Sequence, residues 1–150
     1  MKRHPSLAPF SRDHNVGLVL GRQLELGREG ADVDFLKAWH EEMSDHFDEE
    51  EELLLKLCSP QSAERLLREH LEIRALVAGL ESGDLGVTPE LGRYLERHIR
   101  WEERELFVEI ETSCSEAQLQ ELAVHTLELE KRRASSTAAP RRGELNQRQP

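Results

Sequence analysis

The sequence predicts an all-α fold, a bundle of four long helices with a shorter fifth at the C-terminal end. Three observations lead there. Turn residues cluster at only four places, 27–30, 59–60, 83–89 and 112–115, and strand signals are few. The segments between them carry apolar residues at alternating intervals of three and four, the seam of helices packed side by side. Helix-start signatures, Ser or Thr followed by Pro or Gln, fall where the later segments begin.

Each element has its own justification. Helix 1 is predicted over 12–28, with His14, Gly17, Gly21 and Leu24 on its inner face. Helix 2, over 32–58, has the clearest seam: Leu36, Trp39, Met43, His46, Glu50, Leu53 and Leu57. Ser59 as N-cap and Pro60 as first residue open helix 3, which presents Leu66, His70, Ile73, Val77 and Leu80 and ends near Ser82, before Gly83. Thr88 with Pro89 repeats that signature for helix 4, whose inner positions are Leu91, Leu95, His98, Glu102 and Leu106. Ser115 followed by Gln118 forms a capping box for the fifth helix, over about 115–132. These elements make one domain over 1–133. The last stretch, 134–150, lacks any apolar period and is rich in Ser, Ala, Pro, Gln and Arg, so it reads as a disordered basic tail.

Composition bounds the function. At 150 residues, with 37% apolar and 33% charged side chains, the chain suits one domain with a core of its own. Its net charge of -10 argues against nucleic acid, whose phosphates need clustered Lys and Arg. The charge is uneven, since residues 131–150 hold six basic side chains and only Glu144. Apolar runs such as Leu18 to Leu20 and Leu53 to Leu55 fall far short of a membrane span, and no apolar segment follows Met1 to Pro5 as a secretory signal requires. A cytoplasmic protein without membrane contact is the expectation. Two cysteines, Cys58 and Cys114, are too few for a disulfide framework or a four-thiolate zinc site.

The central observation is polar. A histidine occupies an inner position on each of the four long helices (His14, His46, His70 and His98), and Glu50 and Glu102 each lie one turn after a histidine on the same face. A buried carboxylate is costly unless a cation or a proton compensates it. Counting along antiparallel neighbours places all six side chains in one layer, because a boundary error of two residues moves a ligand by only about 3 Å. Imidazole with carboxylate and no thiolate suits iron or manganese and is tolerated by zinc. Four imidazoles and two carboxylates exceed what one tetrahedral zinc takes and suit two ions with open positions.

These residues also carry a resemblance. DHNVGLVL around His14, HFDEEE from His46, EHLEIRAL around His70 and RHIRWEERELF from His98 resemble the hemerythrin-like, or HHE cation-binding, family over about residues 10–112. The resemblance implies an up-and-down antiparallel four-helix bundle around two iron ions joined by an oxo or hydroxo group. Carried over, His14, His46, His70 and His98 are terminal ligands and Glu50 and Glu102 bridge. Glu103 is the alternative to Glu102, which is preferred because it shares the His98 face. The family's oxygen carriers have a histidine one turn after the third-helix ligand, where this chain has Arg74, which is therefore expected to face the ion and to work against reversible oxygen carriage. The implied function is binding of, or reaction with, dioxygen, nitric oxide or peroxide in sensing, storage or stress defence rather than enzymatic turnover. The alternatives are an oxidase-like or iron-centre repair protein, or a metal-free helical interaction module. No protein partner is indicated.

Around this centre, Tyr94 lies one turn before His98 and is a candidate hydrogen-bond donor to a ligand, while Gly17 and Gly21 suggest close packing or space for a diatomic ligand. His40 and His125 lie off the layer, His4 belongs to a flexible end, and the acidic run 48–52 reads as a solvated face apart from Glu50.

Overall fold

The computed structural model describes residues 2–134, so the predicted tail beyond Ala134 lies outside the described residues. Those residues are all-helical, without a strand. No helix among them is long and apolar enough to cross a membrane.

The first rod is α1 (Ala8–Glu25), which starts before the predicted 12 because Pro9 sits in its first turn and Leu7 is fully buried ahead of it. It stops before the predicted 28 because Gly27 adopts a positive φ of 68°. The second rod joins α2 (Ala31–Ala38), a π-helical turn Trp39–Met43, α3 (Ser44–Leu54) and a 3-10 turn Leu55–Leu57. The third is α4 (Pro60–Glu81), opened by Ser59, whose hydroxyl accepts from the Ser62 N–H at 3.2 Å. The fourth joins α5 (Thr88–Trp101), a second π-turn Glu102–Leu106 and α6 (Phe107–Ser113). Thr88 is not its cap: a 3-10 turn Leu85–Val87 leads in, and the Thr88 hydroxyl donates back to the Leu85 carbonyl at 3.0 Å. Last comes α7 (Glu116–Ala134), where Ser115 and Gln118 exchange the two bonds of a capping box, at 2.8 and 3.1 Å.

Neighbouring rods run in opposite directions, as their side-chain pairs show. Phe10 and Asp13 of α1 meet His46, while Gly17 further along it meets Met43. Arg74 of α4 reaches back to Glu51 and Asp48, and its Arg65, Glu69 and Glu72 meet Trp101, His98 and Tyr94 of α5 in that order. The closest approach is between α1 and α5: a Cβ on Gly92 would lie 2.4 Å from the Gly21 carbonyl oxygen, so glycine is required there.

Apolar packing splits into two clusters. One is built around Leu20, Phe35, Phe47, Ile73 and Leu95, the other around Leu7, Leu54, Leu66, Phe107 and Leu122 of α7. Along every rod, the predicted polar residues fall between members of the two clusters. They form a polar layer across an otherwise apolar interior.

Candidate metal centre

All six predicted ligands are buried, with His70, Glu50 and Glu102 fully so. Each imidazole is held from behind. A carboxylate oxygen lies beside each Nδ1: Glu103 on His14 at 2.5 Å, Asp13 on His46 at 2.8 Å, Glu51 on His70 at 2.7 Å and Glu69 on His98 at 2.8 Å. Each Nδ1 therefore faces a carboxylate acceptor, and each Nε2 is turned inward toward Glu50 or Glu102. This is the arrangement that orients a histidine toward a metal.

The inward atoms crowd together. Nε2 of His46 is 3.0 Å from Glu50 Oε2, and Nε2 of His14 lies 3.4 Å from the same oxygen and 3.2 Å from Glu102 Oε1. Nε2 of His70 is 3.1 Å from Glu50 Oε1, and Nε2 of His98 is 2.9 Å from Glu102 Oε1. Yet the Nε2 atoms of His14, His46 and His98, Oε2 of Glu50 and both oxygens of Glu102 have no hydrogen-bond partner. Two donors about 2.1 Å from one ion and at right angles stand about 3 Å apart, so these separations are those of ligands to a common ion. The donor atoms fall into two groups, His14, His46, Glu50, Glu102 and Glu50, His70, His98, Glu102, each within 4.8 Å and sharing both glutamates. A group of buried polar atoms with unused lone pairs fits a bound cation.

Electrostatics agree. Burial opposes the charged imidazole of His98, but Glu102 and Glu69 outweigh it and push the group up to about 9. His14 is raised well above its ordinary value, against burial, by Glu102, Glu103 and Glu50. Glu50 is held well below the carboxylate range, against burial, by His46, His14 and His70. The layer thus attracts positive charge.

Other predicted contacts are corrected. Arg74 does not face the cluster: its guanidinium donates to Glu51 at 2.7 Å and Asp48 at 3.0 Å, bracing the carboxylate behind His70. The acidic run is accordingly no mere solvated face. Tyr94 turns away from His98 and gives its hydroxyl to Glu72. Gly21 serves the contact with Gly92, whereas Gly17 lines a cavity of about 10 Å³ beside the cluster, room for about one water. His14, His46 and Glu102 line the cavity together with Asp13 and Glu42, and Met43, Leu95 and Ile99 are among its apolar lining. Glu103 is braced outside the cluster while Glu102 lies inside it.

His40 is exposed and pairs with Glu81 at 2.8 Å, and His125 is exposed on α7. His4 is no loose end, since its backbone N–H donates to Glu111 at 2.7 Å and its ring meets Ser6. Cys58 and Cys114 are free thiols, and burial with Glu109 pushes Cys58 up to about 11, which keeps it protonated and unreactive at neutral pH.

The residues missed from sequence were Asp13, Glu51 and Glu69. All three are adjacent in the chain to a predicted ligand, and each holds a histidine of a neighbouring rod. Glu42, buried in the first π-turn, also lines the cavity. No protein-family model, curated protein or solved structure matches the chain.

Proposed function

We propose that this chain is a hemerythrin-like, HHE-type protein with an up-and-down four-helix bundle, and that its polar layer holds two iron ions. The carrying observation is the pair of four-residue groups sharing Glu50 and Glu102, most of whose inward atoms have no hydrogen-bond partner. His14 and His46 would serve one ion, His70 and His98 the other, with both glutamates between them. Iron bound there supplies redox electrons and an exchangeable coordination position to a small ligand such as dioxygen, nitric oxide or peroxide.

The chain's own residues set the rest. The cavity touches His14, His46 and Glu102 and none of His70, His98 or Glu50, so an incoming ligand meets the His14 half. Its apolar wall of Met43, Leu95 and Ile99 excludes bulk water, and its size admits only a molecule of a few atoms. Zinc and manganese tolerate the same donors. Two imidazoles and the shared carboxylates would hold each ion with fewer protein donors than iron accepts, which suits a site that also takes a small ligand.

Anaerobic titration of the full chain with Fe2+, followed by metal analysis, tests this reading. Two ions per chain are expected. A chain that takes up none would leave a purely structural polar layer.

A further inference from the structure

The N-terminal segment does more than lead into α1. Arg3 donates from Nη2 to the Glu103 carbonyl at 2.8 Å and to Glu103 Oε1 at 3.3 Å, and from Nη1 to Glu111 at 2.8 Å. The carbonyl belongs to the π-turn Glu102–Leu106, so Arg3 grips both the backbone and the side chain of that turn. Glu103 in turn takes the Ser11 hydroxyl at 2.8 Å and the His14 Nδ1 at 2.5 Å. A second route runs through rings: the Arg3 guanidinium stands 5.4 Å from the Phe107 centroid, and Phe107 stacks on His14 at 5.4 Å with 12° between planes. The segment is pinned from below by Ser6 and Leu7, both fully buried.

We propose that the N-terminal segment is a clasp in which Arg3, through Glu103 and Phe107, positions His14 and so governs the ion held by His14 and His46. This rests on the metal reading above and adds a residue and an asymmetry to it. An exposed ion pair would do little, but Arg3 and Glu103 are only 21% and 28% exposed and share several bonds. Without Arg3, Glu103 keeps only Ser11 and His14 as partners, so the acceptor that aims the His14 Nε2 is held less firmly. The other half has its own braces, Arg74 on Glu51 behind His70 and Arg65 on Glu69 behind His98. It should not feel the loss. Lysine at position 3 would restore the charge but not the fork that reaches a carbonyl and two carboxylates together.

The test compares the unmodified full chain with Arg3→Ala, Arg3→Lys and Glu103→Gln in anaerobic Fe2+ titrations. In Arg3→Ala, one of the two equivalents should bind as before and the other about 10–100-fold more weakly, the usual effect of losing a brace behind a ligand. Arg3→Lys should fall between, and Arg3→Ala should add little to Glu103→Gln. Unchanged binding of both ions, or an equal loss at both together with a lower melting temperature, overturns the proposal. Proton NMR of metal-depleted protein gives an independent readout: the hydrogen-bonded Nδ1–H of His14 should exchange faster in Arg3→Ala. Unaltered exchange also overturns it. If the unmodified chain binds no Fe2+, the metal reading falls, and the ring proton still decides whether Arg3 positions His14.

Discussion

Glu69 precedes His70 in the chain but grips His98 on the next rod, its Oε1 2.8 Å from the His98 Nδ1. Asp13 does the same, standing next to His14 and holding His46. Candidate ligand and brace are interleaved, so that each rod supplies a candidate metal donor and the support for another rod's donor. Such crossing makes the layer rigid, because no imidazole can turn without moving a carboxylate on a neighbouring helix. Glu69→Ala is therefore expected to weaken metal binding about 10–100-fold while leaving the helical content intact. Competition titration against a chelator of known affinity reads this; unchanged affinity would show that the braces only fill space.

Within the cluster itself the losses should be larger. His46→Ala and Glu50→Ala each remove a fully inward donor that no neighbour replaces, and bound metal should fall below two ions per chain. Glu102→Ala should behave likewise, whereas Glu103→Ala should retain both ions at reduced affinity, since Glu103 touches only the back of His14. His40→Ala and His125→Ala, both on the surface, should change nothing. Metal analysis of the six variants distinguishes these outcomes, and loss of an ion from either surface variant contradicts the assignment of faces.

Much of this was legible in advance, for a physical reason. The period of an α-helix fixes which side chains share a face, so His46 with Glu50 and His98 with Glu102 follow from spacing alone. The capping signatures at Ser59 and Ser115 are likewise local. What spacing could not give was the long-range partner. Glu51 looked like one acid in an acidic run, and only the approach of α4 makes it the brace of His70. Arg74 was expected to face the ion because it lies one turn after His70, yet its long side chain reaches sideways to Glu51 and Asp48. The two π-turns carry no sequence signature of their own, and they lie beside both histidine and glutamate pairs, where wider turns are common near functional sites.

The glycines of α1 and α5 give a stability test with opposite demands. Alanine normally gains about 1 kcal/mol over glycine inside a helix. At Gly92 the new Cβ would meet the Gly21 carbonyl oxygen at 2.4 Å and the Glu25 backbone nitrogen at 3.0 Å, neither of which can move alone. At Gly17 it would meet the tip of Ile99 at 2.8 Å, a flexible end that can give way. Gly92→Ala should thus destabilise by about 1–3 kcal/mol in denaturant unfolding, and Gly17→Ala should be closer to neutral. Gly17→Ala should also narrow the cavity and slow reaction with a small ligand at unchanged metal content. A stabilised Gly92→Ala would mean that α1 and α5 are not in such close contact.

Acidity gives the last test, in protein stripped of metal by a chelator. His98 is raised from 6.5 to about 9, since Glu102 and Glu69 overcome burial, and His14 is also raised, by Glu102, Glu103 and Glu50 against burial. A raised imidazole contributes stability that is fully present below the unfolded value and disappears as pH climbs through the folded one. Glu50, depressed from 4.5 by His46, His14 and His70 against burial, contributes stability above its unfolded value that disappears in acid. The stripped protein should therefore melt highest between about pH 4.5 and 6.5, and lose up to about 1.4 kcal/mol per pH unit for each such proton on the way to pH 9. Metal behaves in the opposite sense. An ion must displace the proton from Nε2, so its affinity should increase with pH over the same window. The melting temperatures of loaded and stripped protein should diverge steadily from pH 6.5 to 9. Parallel curves from calorimetry would show that ions and protons do not compete for these imidazoles, and the six residues would then have to be a fixed polar layer.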